Sequence, residues 1–382
     1  MILETALLTL STAGALYHLY ALIQAWGFLD LAHINAPGPD TWPKVTLVIP
    51  ACNEEATIEA AMKSVLRLDY PALELIIVED RSTDDTAAIT DAFAQAHEHV
   101  EVIHVEDLPE GWLGKLHALH VGTEAATGDF IVYADADVHF ATDTLKRVVA
   151  WAEDERIDMV SLMPLIKSEG LMLTATLGAF GGHWFAGTRI KAVNSEGGDA
   201  YAGTGAFNMV RRRVFEQTEG WPWLKMEIAD DIGLAYLMHR HGARGRIAAA
   251  PEHLSLYWYE TFGELVRGLE KNTFAVIGRF SALRALTIAL GLALLALSPL
   301  ALLITSWAPL GIGCLIASAL CAYLALPRSM RRGGYILSPL ANVLLSAILI
   351  RSTYKTLRRG GVDWRGTTYD TKALKANQRL LI

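Results

Sequence analysis

The apolar residues of this chain follow two rhythms. Towards both ends they run on without a charge: Thr5–Leu29, Ala285–Ile304 and Trp307–Leu326 carry no Asp, Glu, Lys or Arg. Each is long enough as a helix to cross a hydrocarbon core, which takes about 20 residues. Tyr335–Ile350 is also uncharged but shorter, so spanning, re-entrant and interfacial placements all stay open for it. Between the ends, from Lys44 onward, short apolar runs alternate with amphipathic stretches, the pattern of βαβ units around a mostly parallel sheet. Val45–Pro50, Leu73–Glu79, Val100–Val105 and Phe130–Ala134 read as strands. A helix opening near Asn53 puts Ile58, Met62, Val65 and Leu66 on one face. Ser82-Thr83-Asp84-Asp85 reads as a helix start, with a capping Ser and acids in the first turn.

Gly170–Val193 fits neither rhythm. Leu171, Met172, Leu173, Leu177, Phe180, Trp184 and Phe185 are interrupted by Gly178, Gly181, Gly182 and Gly187. A buried core segment is one reading; the other, preferred, is an interfacial segment with Trp184, Arg189 and Lys191 at headgroup depth. The layout is then an N-terminal anchor (1–30), a linker (31–43), an α/β domain (44–260, with 170–193 interfacial), an amphipathic stretch (261–284), a C-terminal transmembrane region (285–354) and a basic tail (355–382). Glu4 stands where a signal peptide wants positive charge, so the first apolar stretch is expected to remain as an anchor.

Charge adds orientation. Arg267, Lys271, Arg279, Arg284, Arg328, Arg331 and Arg332 cluster around the later apolar stretches. By the positive-inside rule this puts the central domain in the cytoplasm and the N-terminus outside, the protein residing in the inner membrane. A crossing by Tyr335–Ile350 would then strand Arg351, Lys355, Arg358 and Arg359 outside, against the rule. A net charge of −8 excludes nucleic acid as partner, since such binders carry basic stripes. Cys52, Cys314 and Cys321 form no C-x-x-C and no zinc spacing, and read as apolar fillers.

The chemistry gathers after the fourth strand. Asp135-Ala136-Asp137 sets two carboxylates one residue apart at a strand end, where an open α/β sheet binds its ligands. Mg²⁺ or Mn²⁺ is commonly held by one or two such carboxylates and completed by water and substrate phosphates. Upstream stand Pro50, Asn53-Glu54-Glu55 and Glu79-Asp80; downstream stand Gly111-Trp112-Leu113-Gly114-Lys115, Gly203-Thr204-Gly205-Ala206-Phe207-Asn208 and Asp230-Asp231. This ordered set, over residues 44 to 250, resembles the family 2 glycosyltransferases, and the Gly-Trp-x-Gly-Lys run resembles members that glycosylate membrane lipids such as carotenoids, hopanoids or ceramide.

The resemblance implies an inverting enzyme with a Rossmann-like GT-A fold, a nucleotide-sugar donor (UDP-linked), a lipid acceptor and a divalent metal. It implies metal binding by Asp137 with Asp135, and acceptor deprotonation by Asp231 with Asp230 in support. It implies donor contacts from Pro50, Asn53, Glu55, Asp80, Lys115 and Asp135. The Gln/Arg-x-x-Arg-Trp motif of processive synthases and ceramide glucosyltransferases is absent; Arg267 and Lys271, four apart on one helix face, stand in its place as donor contacts or lipid anchors. The plain alternatives stay open: capping acids for Asp80, Asp230 and Asp231, solvated turn acids for Asp135 and Asp137, an exposed lysine for Lys115, a solvated or headgroup-facing trio for Arg211-Arg212-Arg213. A polysaccharide synthase and an inactive nucleotide-sugar-binding scaffold are the other functions considered. The tail Trp364-Arg365-Gly366-Thr367-Thr368-Tyr369 resembles that of lipid-modifying members and receives no role.

Overall fold

The computed structural model describes residues 2–326, 331–364 and 367–380, and the backbone alone of Lys271. Arg328, Arg365, Gly366 and the Lys271 side chain therefore lie outside the described residues. Strands run as β1 (Leu29–Asp30), β2 (Val45–Ala51), β3 (Leu73–Asp80), β4 (Val100–Val105), β5 (Phe130–Tyr133), β6 (His139–Phe140), β7 (Met159–Met163), β8 (Leu165–Ile166), β9 (Asn208–Arg211), β10 (Gly245–Ala249), β11 (Leu254–Leu256), β12 (Gly361–Trp364) and β13 (Thr367–Asp370). An eight-stranded sheet has the order β1-β10-β7-β9-β5-β2-β3-β4, and all its pairings are parallel except those of β9. A small sheet β6-β11-β8 lies beside it.

The apolar runs of β2 and β5 are buried almost throughout, as parallel strands covered on both faces must be. On one face, Ile58, Met62 and Val65 pack with Leu145, Val148 and Trp151; on the other, Leu116 and Leu119 pack with Leu234 and Leu237. From β2 the chain moves outward to β3 and β4, then returns to place β5 on the other side of β2. That reversal makes the carboxyl ends of β2 and β5 the place where an open α/β sheet takes its ligand. Pro50 falls beyond the last β2–β5 pairing, Val48 with Tyr133, so its missing N–H costs the β5 ladder nothing.

Some local readings shift. Ser82 does not cap a helix: its hydroxyl accepts the Asn53 N–H, and the helix starts later, at Thr86. Arg211 is no solvated residue; it pairs with Glu153 at 2.7 Å and lies over the Phe130 ring. Gly170–Val193 is mostly one helix, Leu171–Thr188. The ring of Trp184 on this helix is stacked on Phe28.

Three helical segments are long and apolar enough to cross a membrane, Ile2–Ala25, Ala282–Leu302 and Gly333–Arg359, with the shorter Ala308–Leu324 between the last two. They meet through small residues, as helices without a hydrophobic drive between them do. Gly14 abuts Leu295, Gly311 abuts Pro299 and Leu302, and Ala285 and Ala289 lie against Leu349. Helix Leu171–Thr188 joins them: Gly178 sits against Tyr335 and Ser338, and His183 bonds Tyr17 (2.5 Å) and Asn342 (2.7 Å). Tyr335–Ile350 is part of a longer helical segment whose far end, Arg351 and Lys355, is tied to Glu270 of helix Phe262–Asn272.

Candidate functional site

The antiparallel strand builds the site. Because β9 runs against β5 and β7, pairing Asn208 with Tyr133 and with Ser161, the residues just before it, 203–207, emerge at the carboxyl edge of β5. Asp135 emerges there too. Gly205 faces it so closely that a Cβ would stand 2.7 Å from Asp135 Oδ2, and a Cβ on Gly203 would collide with the Asp231 carbonyl. Glycine at these two positions lets one loop touch both acid pairs.

Lys115 joins them. Its ammonium lies 2.7 Å from Asp135 Oδ1 and 2.9 Å from Asp230 Oδ2. Burial works against the lysine's charge, but the two carboxylates outweigh it and raise its pKa. The lysine is delivered by helix Gly114–Ala125. Asp230 and Asp231 open helix Asp230–Arg240, where the unpaired N–H groups favour negative charge. Asp231 Oδ1 accepts its neighbour's Ile232 N–H at 2.8 Å. Even so, burial and then the Asp230 charge push the Asp231 carboxyl up to about 7, with Lys115 opposing. Asp137 is pushed up to about 7 as well, by burial, then Asp135, then Glu54. Pro50, Tyr133 and Trp221 line the small pocket around this cluster.

Two carboxylates with raised pKa values beside a third are a site short of positive charge, and oxygen donors of this kind suit Mg²⁺ or Mn²⁺. Among the described residues no cluster of three or more His, Cys, Asp or Glu is set to hold a metal alone. A metal here would need oxygens from a ligand, as expected for a cation shared with phosphates.

The remaining expected residues divide. Asp80 ends β3, is 4% exposed, and is held by Arg81 through Nε at 2.8 Å and a second nitrogen at 3.2 Å. Gly114 covers it, any Cβ there colliding with Asp80 Oδ2. Asn53 and Glu55 are occupied in joining the loops after β2 and β3: Asn53 Oδ1 accepts the Thr83 N–H at 2.8 Å and Glu55 Oε2 the Asp85 N–H at 3.0 Å. Asn53 does so at φ +55°, a left-handed conformation that Asn tolerates better than most. Arg267 stands apart, exposed, with its guanidinium over Gly263 of its own helix. Sequence reasoning missed Arg81, whose role follows from φ +56° turning its side chain back onto Asp80, and Trp221, which is 1% exposed with its ring edge-on to Tyr133 at 5.0 Å. No local pattern marks either.

A mostly parallel sheet with its acids gathered at the carboxyl edge defines the class, the GT-A fold. Residues 46–218 match the model of glycosyl transferase family 2. A beta-monoglucosyldiacylglycerol synthase of Nostoc sp. is 30% identical over 206 residues, which are 52% of this chain and 41% of that protein. A 4,4'-diaponeurosporenoate glycosyltransferase of Staphylococcus aureus is 35% identical over 96 residues, 25% of this chain and 24% of that one. The chain thus spans less than half the length of these curated relatives. Among solved structures, the mannosyltransferase PcManGT from Pyrobaculum calidifontis, in complex with GDP-Man and Mn²⁺, superposes with a TM-score of 0.59 at 22% identity, covering 92% of this chain and 99% of that one.

Proposed function

We propose that this chain transfers a sugar, with inversion, from a nucleotide-diphosphate donor (UDP-linked) to the hydroxyl of a membrane lipid. The observation that carries the reading is the meeting of two acid pairs, Asp135/Asp137 and Asp230/Asp231, across Lys115 at the carboxyl edge of the sheet. Asp231, with its pKa near neutrality, is a carboxylate able to accept the acceptor's proton, and a proton-transfer group works best when its pKa lies near the operating pH. Asp230, fixed by Lys115, stands beside it and raises its pKa. Asp137 and Asp135 would hold Mg²⁺ or Mn²⁺, which when bound offsets charge on the departing diphosphate. Lys115 adds a second cation, and Asp80 with Arg81 offers hydrogen bonds for the nucleoside.

The lipid acceptor is supported by the apolar helices packed against the domain and by the relatives named for lipid-linked products. In this reading the protein is integral to the inner membrane with its catalytic domain in the cytoplasm. Donor turnover in the presence of a lipid extract tests it, read as released nucleotide diphosphate and glycolipid by mass spectrometry. Excess EDTA and Asp137→Asn should each remove most of the turnover; full activity in EDTA would overturn the metal assignment. The anomeric configuration of the product, by NMR, decides inversion.

A further inference from the structure

The last segment of the chain returns to the catalytic domain. After helix Ser338–Arg359 ends on Gly360 at φ +73°, the hairpin β12–β13 and helix Thr371–Asn377 follow. Val362 and Leu374 are buried in the same apolar cluster as Leu116 and Leu234. Two polar anchors fix the segment. At one end, the backbone N–H groups of Arg379 and Leu380 both donate to Glu227 Oε2, at 2.7 and 3.1 Å. Glu227 is 1% exposed and stands three residues before Asp230. The Arg379 guanidinium lies over Trp223, and its Nε donates to the Trp223 carbonyl at 3.1 Å. At the other end, the Tyr369 hydroxyl accepts the Gly114 N–H at 3.4 Å, one residue from Lys115.

The strap therefore ties together the two loops that deliver Lys115 and the Asp230–Asp231 pair. It also brings an aromatic ring to a defined place. Gly114 lies between Tyr369 and the Asp80–Arg81 pair. On the opposite side of the same loop Lys115 points to the acid cluster. A flat, partly buried ring beside a buried carboxylate suits a planar base, which needs an apolar face and a hydrogen-bonding edge.

We propose that Tyr369 is a wall of the nucleoside pocket and that the strap, latched on Glu227, sets donor affinity. This rests on the reading of Asp80 as a nucleoside contact. The full-length protein in detergent is titrated calorimetrically with UDP and GDP, with the nucleoside of whichever binds, and with pyrophosphate. Tyr369→Ala should weaken the nucleotide and its nucleoside by about ten-fold, within the range for losing an aromatic partner of a base, and leave pyrophosphate unchanged. Tyr369→Phe, which keeps the ring and loses the hydroxyl's hydrogen bonds with Gly114 and Thr367, should weaken nucleotide binding by about three-fold. Nucleotide affinity unchanged in Tyr369→Ala, with the melting temperature preserved, overturns the proposal while the transferase reading stands. Wild-type protein that binds neither UDP nor GDP overturns both. Should Tyr369→Ala fail to fold, hydrogen exchange on the wild type decides: saturating nucleotide should slow exchange in 361–370, and no change there overturns the strap's part in the site.

Discussion

In the proposed reaction, Asp231 is the residue whose environment does most. A solvated aspartate with an ordinary pKa of about 4 is a weak base for an alcohol. Here burial and the neighbouring Asp230 raise it to about 7, while Lys115 keeps the rise from going further. The sign follows directly. The base must be ionised to act, so kcat/KM should fall roughly ten-fold per pH unit below about 7 and level off above it. Asp231→Asn should lower kcat by about 10² to 10⁴, the range for losing a positioned base, and should make the acid limb shallower, leaving what Asp137 contributes, while calorimetry finds donor affinity nearly intact. A variant with wild-type turnover would move the base elsewhere.

At the scale of elements, glycine contacts decide where the helices meet. On helix Leu171–Thr188, a Cβ at Gly178 would collide with Ser338 and Tyr335, whereas one at Gly182 would meet nothing within 4 Å. Gly178→Leu should therefore destabilise by about 1–3 kcal/mol, the usual cost of overpacking, seen as a lower melting temperature in detergent. Gly182→Ala should be neutral or stabilising, because Ala favours helix over Gly by up to about 1 kcal/mol. Equal melting temperatures for the two variants would show that this contact does not hold the helices. The same segment shows what the sequence could tell. Long apolar runs and alternating strands have local periods, so the spanning candidates Ile2–Ala25 and Ala282–Leu302, β2 to β5 and the position of Asp135 were legible, whereas the run Trp307–Leu326 is the shorter helix Ala308–Leu324. So were the acid pairs, through the resemblance. The partner of Gly178 lies far along the chain, and of the four glycines that suggested interruption Gly178 is the one that admits close approach. The bond from Gly114 to Tyr369 is equally remote in sequence, which is why the tail carried a motif and no role.

Across the whole molecule, the strap keeps the end of the last long helix with the α/β domain. The unresolved choice for Tyr335–Ile350 was whether its basic end, Arg351 to Arg359, would be carried away from the catalytic domain. Val362 and Leu374 are buried in an apolar cluster of the α/β domain, and Lys355 binds Glu270 at 2.6 Å, so that end stays with the domain, as the proposed cytoplasmic placement of the domain asks of these basic residues. At the other terminus, Ala25 is four residues from β1 of the sheet, and the helix Ile2–Ala25 extends about 36 Å at 1.5 Å per residue. In a bilayer its start should lie on the far side. Single cysteines at Leu3, Glu98 and Asp363, all exposed, can be placed in a chain whose Cys52, Cys314 and Cys321 are replaced. In intact cells an impermeant thiol reagent should label Leu3→Cys and spare Glu98→Cys and Asp363→Cys, which should react only after permeabilisation. Labelling of Glu98→Cys in intact cells would invert the orientation. Labelling of Asp363→Cys without Glu98→Cys would mean that the last helix crosses and that the strap leaves the donor site in the membrane.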